Sequence, residues 1–162
     1  MEGFQFSATG LEHTPAGLPD YSPENHTTMT AKRHAKIQGA LVDLPSPVEF
    51  SDGGILDVGV IGWGSTLGSV LEAVNSACSK GIKAGALKIT SIFPFNAEQI
   101  REFMDRCSEV IVVELNYEGQ LANLIGHLHR KDVLRLNRVT GTPFPPSVIL
   151  SHIEDVVQAG AQ

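Results

Sequence analysis

Leu56-Asp57-Val58-Gly59-Val60-Ile61-Gly62-Trp63-Gly64-Ser65-Thr66-Leu67-Gly68 is an apolar run that breaks at two nearby glycines and restarts at helical spacing. Leu56 to Gly62 reads as a strand. Ser65 to Ser79 reads as a helix with Leu67, Val70, Leu71, Val74, Ala77 and Cys78 on one side and Gly81 at its stop. The same unit recurs downstream. Ala84 to Thr90 is strand-like, and Asn96 opens a helix as N-cap, with Gln99 three residues on and Ile100, Phe103, Met104 and Cys107 on the apolar side. Glu109 to Leu115 is the most hydrophobic strand. Glu118 to Leu128 follows as a helix with Leu121, Leu124, Ile125 and Leu128 inward. Val133 to Val139 is the fourth strand, and Pro146 suits the first position of a last helix lined by Val148, Ile149, Ile153, Val156 and Val157. Strand and helix in alternation force a mostly parallel sheet covered on both faces. Val110-Ile111-Val112-Val113 supports this, because a strand buried on both sides needs no polar alternation.

Upstream the pattern changes. Residues 1–27 contain Gly3, Gly10, Pro15, Gly17, Pro19 and Pro23 without a sustained period and read as an extended arm. A lead-in of residues 28–54 comes next. A helix over 28–44 has Thr27 or Thr28 as its cap, Ile37, Leu41 and Leu44 as its apolar stripe, and Pro45 and Pro47 as its stop. Val48-Glu49-Phe50 is a short strand ended by Asp52-Gly53-Gly54. Residues 55–162 then form the α/β domain.

The chain has 162 residues and a net charge of −6, which argues against nucleic acid as a main partner. No apolar stretch approaches the about 20 residues of a membrane span, and Met1-Glu2-Gly3-Phe4-Gln5 lacks the features of a secretory signal. Two cysteines make neither a disulfide framework nor a metal set, and both fall in apolar stripes, so they read as buried thiols in a reducing cytoplasm. The six histidines lack metal-ligand spacing; His127 and His129, two apart on a helix, face different sides.

Ligands of an open parallel sheet sit beyond the carboxyl ends of its strands. The loops there are Trp63 to Thr66, Ser91 to Phe95, Asn116 to Gln120 and Thr140 to Pro145. The first is similar to a dinucleotide fingerprint but misses it: Leu67 occupies the third glycine's place, and Lys88-Ile89-Thr90-Ser91 offers no ribose-binding carboxylate. It reads either as an anion cradle at a helix start or, more simply, as a tight turn with Ser65 as N-cap. In the third loop Glu114 and Glu118 invite an acid/base reading, yet Glu118 is also placed to favour a helix N-terminus and Asn116 to cap it. From the residues alone the chain is an α/β domain with a polar sheet edge and no self-contained active site.

Several motifs together carry a resemblance. They are Ala8-Thr9-Gly10-Leu11-Glu12-His13, then Pro19, then Pro23-Glu24-Asn25-His26 and a basic helix. Gly62-Trp63-Gly64-Ser65-Thr66, Ile92-Phe93-Pro94-Phe95, Glu114-Leu115-Asn116-Tyr117-Glu118-Gly119-Gln120-Leu121 and Gly141-Thr142-Pro143-Phe144 follow in order. The chain resembles the alpha subunit of the 2-oxoacid:ferredoxin oxidoreductases, of the 2-oxoglutarate type. It departs from that pattern at Leu115, where Glu is common, and at Thr14-Pro15-Ala16, where an acidic residue is common.

The resemblance implies the carboxyl-terminal, transketolase-C-like domain of that subunit. Its fold is a three-layer α/β/α unit with a mixed, mostly parallel five-stranded sheet, in which Val48-Glu49-Phe50 is the antiparallel member. The whole complex decarboxylates a 2-oxoacid, forms an acyl-CoA and reduces ferredoxin, with thiamin diphosphate, Mg2+ and an iron–sulfur cluster held outside this chain. The resemblance also implies no catalytic, cofactor or metal residue here. Thr9, Gly10, Glu12 and His13 are expected as contacts to the upstream domain or the beta subunit, and Gly64, Ser65, Thr66, Asn116 and Gln120 as the polar edge. A second copy paired through the arm and the 28–44 helix is compatible with this arrangement. The other reading is a free-standing regulatory module that takes a small anion or nucleotide at Ser65-Thr66.

Overall fold

A computed structural model describes residues 10–129 and 132–160. The chain forms two compact units that divide between Leu44 and Pro45, so the lead-in expected over 28–54 is shared between them.

In the first unit the described part of the expected irregular arm, from residue 10 on, contains a hydrogen-bonded turn. The Thr14 N–H donates to Leu18 O (2.8 Å), the Asp20 N–H donates to Glu12 O (3.1 Å), and His13 and Pro19 form an antiparallel bridge. Helix α1 spans Pro23–Gly39 and starts five residues before the expected position. Its cap is Ser22, whose hydroxyl accepts from the Asn25 N–H at 3.2 Å, and Pro23 sits at its first position. Thr27 and Thr28, read as caps, lie inside the helix and donate back to Pro23 O and Glu24 O at 2.9 Å. Ile37 is not on a buried stripe; Asn25 and Met29 are the buried residues of α1. Glu12 ties the turn to α1, with its carboxylate 2.7 Å from His26 Nδ1 and 2.5 Å from Arg33 Nη2. The Arg33 hydrogen bond and then that of His26 hold the Glu12 carboxyl below the ordinary 4.5.

The second unit contains β1 (Val48–Phe50), β2 (Leu56–Trp63), α2 (Leu67–Ser79), β3 (Ala84–Ile89), α3 (Ala97–Asp105), β4 (Cys107–Glu114), α4 (Gln120–His129), β5 (Leu134–Asn137) and α5 (Pro146–Gly160). The sheet order is β1-β3-β2-β4-β5, parallel except for β1, which runs antiparallel to β3. Neighbouring β2 and β4 are buried along almost their whole length because helices cover both faces. On one face Val58, Val60, Ile111 and Val113 pack with Val70, Val74, Ile149 and Ile153 of α2 and α5. On the other, Ile61, Val110 and Val112 pack with Ile100, Phe103, Leu121 and Ile125 of α3 and α4. The mixed α/β/α sandwich is therefore present, with Val48–Phe50 as its antiparallel strand.

Several local expectations shift by part of a turn. The residues of α2 that face the sheet are Val70, Ala73, Val74 and Ala77. Cys78, the next residue round the helix, is exposed, contrary to its reading as a buried thiol. Cys107 is buried but begins β4 instead of ending α3. Helix α4 starts at Gln120, not Glu118, and buries Leu121, Ala122 and Ile125, so Leu128 is exposed. Val148 is likewise exposed on α5. Asn96 does cap α3, accepting from the Gln99 N–H at 3.4 Å.

Two constraints set the spacing of the layers. Gly59 faces α3: a Cβ there would lie 2.5 Å from Cys107 Sγ and 2.8 Å from Phe103. Glu114, fully buried at the end of β4, shares the sheet face of Val110 and Val112 and lies under the start of α4. Its Oε1 accepts from the Leu121 N–H (2.8 Å) and its Oε2 from the Ala122 N–H (3.1 Å). Asn116 Nδ2 also donates to Oε1 at 2.9 Å. The carboxyl group takes two of the amides that a helix start leaves unpaired.

Glu114→Leu strands these two buried amides. Denaturant unfolding should show a loss of about 2–4 kcal/mol, and a loss under about 1 kcal/mol would refute the role given to the carboxyl. Gly59→Ala should cost about 1–3 kcal/mol by overpacking against Phe103 and Cys107, read as a lower urea midpoint. The depressed Glu12 carboxyl makes the turn-to-helix tie complete above the ordinary carboxylate pKa and weaker as pH falls below it. Amide spectra of residues 11–18 should accordingly change as pH falls below the ordinary carboxylate range in the wild type, and much less in Glu12→Gln.

Candidate functional site

The topology marks one position on the sheet. From β2 the chain runs through α2 to β3 on one side, then crosses through α3 to β4 on the other side of β2. The loops after β2 and β4 therefore leave their strands toward opposite faces, and a crevice opens between them. It is a cleft of about 330 Å³ lined by Trp63, Gly64, Ser65, Thr66, Leu115, Asn116 and Gln120.

All five residues expected at the polar edge line this cleft, but they are not alike. Gly64 has a φ of +55°, which lets the chain turn at the end of β2, and it is exposed. Ser65 is exposed in the middle of a short 3-10 turn, Gly64–Thr66, and is not the N-cap it was read to be. Thr66 closes that turn: its hydroxyl accepts from the Trp63 N–H at 3.1 Å and donates to Trp63 O at 2.8 Å, and the side chain is buried. Asn116 is a brace. Its Oδ1 accepts from the N–H groups of Gly119 (2.7 Å) and Gln120 (3.2 Å), while its Nδ2 goes to Glu114. Gln120 is exposed at the first position of α4. Trp63 and Leu115 complete the lining and were not anticipated. Their signal was positional: each is the apolar residue at or just past the end of a strand at the crossover.

The arm residues belong to the first unit. Gly10 is exposed, and Glu12 is engaged with His26 and Arg33. His13 Nδ1 lies 2.9 Å from Thr14 O. Thr9 lies outside the described residues.

Among the described residues the donor set of the cleft is neutral, without a carboxylate or a cationic side chain in its lining. A thiamin diphosphate with its Mg2+ does not fit such a wall, because the diphosphate and the metal need charged or anionic ligands. Nor do the cysteines fit an iron–sulfur cluster, which takes four thiolates: Cys78 is exposed on α2, and Cys107 is buried with its Sγ directed to Phe103 O at 3.2 Å. Among the described residues no three His, Cys, Asp or Glu side chains are grouped to hold a metal ion. None of the described helices is long and apolar enough to cross a membrane.

Residues 57–147 match the family described as pyruvate:ferredoxin oxidoreductase core domain II. The chain is 32% identical to the 2-oxoglutarate synthase subunit KorA of Methanothermobacter marburgensis, over 86% of this chain and 41% of that protein. It is 35% identical to the 2-oxoglutarate oxidoreductase subunit KorA of Mycobacterium tuberculosis, over 83% of this chain and 21% of that one. Its structure is similar to the 2-oxoglutarate:ferredoxin oxidoreductase from Magnetococcus marinus, solved with 2-oxoglutarate, coenzyme A and succinyl-CoA bound. The TM-score is 0.89 at 34% identity, over 95% of this chain and 27% of that chain. A split-gene transketolase (TM-score 0.57, 16% identity) shares the fold. The chain spans about two fifths or less of the length of these curated relatives. Family match, KorA relatives and fold agree: the chain belongs to the pyruvate:ferredoxin oxidoreductase core domain II family.

Proposed function

We propose that this chain is the carboxyl-terminal domain of the alpha subunit of a 2-oxoglutarate:ferredoxin oxidoreductase, and that it shapes and assembles a reaction site whose chemistry lies elsewhere. The observation that carries the reading is the likeness to the Magnetococcus marinus oxidoreductase, a TM-score of 0.89 over 95% of the chain. The neutral lining of the cleft supports a non-catalytic share, since no group there is suited to take or give a proton near neutral pH. In the assembled enzyme a 2-oxoacid is decarboxylated, an acyl-CoA forms and electrons pass to ferredoxin. Thiamin diphosphate, Mg2+ and the iron–sulfur cluster belong to the other parts of the complex.

Within that division of labour Gly64, Ser65 and Gln120 present the exposed rim of the cleft, while Thr66 and Asn116 hold its two walls in place. Thr9, Gly10, Glu12 and His13 contact the upstream domain or the beta subunit. The compartment is the cytoplasm, in keeping with two free thiols, one of them exposed.

Purified alone, the chain should reduce no ferredoxin from 2-oxoglutarate and coenzyme A, whereas the complex that contains it should. Turnover by the isolated chain would end the reading. Thermal melts of the chain with inorganic phosphate or nucleotides should stay flat. A midpoint that climbs with ligand concentration would instead support an independent anion-binding module.

A further inference from the structure

We propose that Arg135 and Asn137 of β5 are positioning residues for the cleft, acting through two main-chain carbonyls of the loop from Asn116 to Gln120. The proposal rests on the reading of this edge given above. Arg135 and Asn137 stand two apart on a strand and so share one face. Leu136 points the other way, toward the α2 and α5 side of the sheet. In register, Asn137 lies beside Glu114 and Arg135 beside Val112, which places both at the foot of the loop that follows β4.

From there each reaches the loop. Asn137 Nδ2 donates to Tyr117 O at 3.3 Å, and Arg135 Nη1 donates to Glu118 O at 3.3 Å. These are consecutive carbonyls in a segment outside every strand and helix, where side chains take the place of a ladder. Gly119 makes the approach feasible. It has a φ of +69°, and a Cβ there would lie 3.0 Å from Asn137 Nδ2 and 3.5 Å from Arg135 Cδ. The Asn137 Oδ1 is buried with no hydrogen-bond partner among the described residues, so the carboxamide's one hydrogen bond is the one to the loop.

The loop is thus gripped from both sides. Glu114 and Asn116 hold it from the α4 side, and Arg135 and Asn137 from the edge strand. On this braced loop Tyr117 is 84% exposed, and Gln120 sits at the rim of the cleft. A side chain presented in a fixed pose loses little freedom when a partner surface covers it, so β5 preorganises the edge that the domain offers.

The test is hydrogen exchange on the full chain, read at the amides of Gly119 and Gln120, which bond to Asn116 Oδ1. Asn137→Leu keeps the volume and removes the donor. Arg135→Met keeps the stem and removes the guanidinium, and Arg135→Lys returns a donor. Both removals should speed exchange at these two amides about tenfold, with Val112 and Val113 in β4 unchanged and with most protection regained in Arg135→Lys. Unchanged exchange in both removals overturns the proposal. So does an acceleration shared equally by Val112 and Val113, which would mark ordinary loss of packing. Arg135 is exposed, so its variants fold even if Asn137→Leu does not. The measurement needs no partner, so its failure is distinct from that of the proposed function, which fails when the isolated chain turns over.

Discussion

A helix that starts over the end of a parallel strand brings several unpaired N–H groups into a place where water is scarce, and something must meet them. In this domain Glu114 does. It ends β4, buried over its last five residues, and accepts from the Leu121 N–H on one carboxyl oxygen and from the Ala122 N–H on the other. Because Asn116 also leans on Glu114, the turn between them has few conformations left. The start of α4, the rim of the cleft and the register of the following loop all depend on this one side chain. The helix dipole adds to the hydrogen bonds, since its positive end lies over the carboxyl oxygens.

The opposite wall obeys a different constraint. Gly59 and Gly62 alternate in β2, and each takes a close neighbour on its own face: Phe103 and Cys107 against Gly59, Thr66 and Val70 against Gly62. Missing side chains let α3 and the start of α2 approach the central strand from both sides. The Trp63–Thr66 turn then closes with Thr66 packed over Gly62. One wall is thus set by a polar group that satisfies a helix start, and the other by absent side chains that let a turn sit close to the sheet. Between them the crossover of the sheet opens the cleft.

The layering of the fold was legible because it rests on period. The run Val110–Val113, the capping pair Asn96 and Gln99, and Pro146 at a helix start all act within a few residues of themselves. The polar edge was legible for the same reason, since Gly64, Ser65, Thr66, Asn116 and Gln120 follow strands whose ends the pattern marks. What escaped was either longer-range or masked by composition. The bonds from Glu114 span seven and eight residues, beyond the three-residue reach of a local cap motif. Ser22-Pro23 is a strong helix start, yet it lies in a Gly- and Pro-rich stretch whose average reads as irregular. Of the two residues read as caps, Ser65 sits exposed inside a turn, whereas Asn116 does accept from the N–H groups at the start of α4.

The absence of charge along the cleft lining is a physical choice in a chain of net charge −6. Covering a surface strips water from it, and a charged side chain that finds no partner on the other side makes that step costly. Neutral groups such as Trp63, Leu115, Ser65 and Gln120 can be covered at much lower cost. Some charges elsewhere are paired within their own unit, as Glu12 is with His26 and Arg33, and Lys80 with Glu154. Under the proposed function, a domain that supplies a wall and not a reactive group gains most from a surface that is rigid and electrically quiet: rigidity limits the entropy lost on assembly, and neutrality limits the desolvation. The bracing of the Asn116–Gln120 loop and the neutrality of the cleft are in this sense one property, and both follow from where β2 and β4 end.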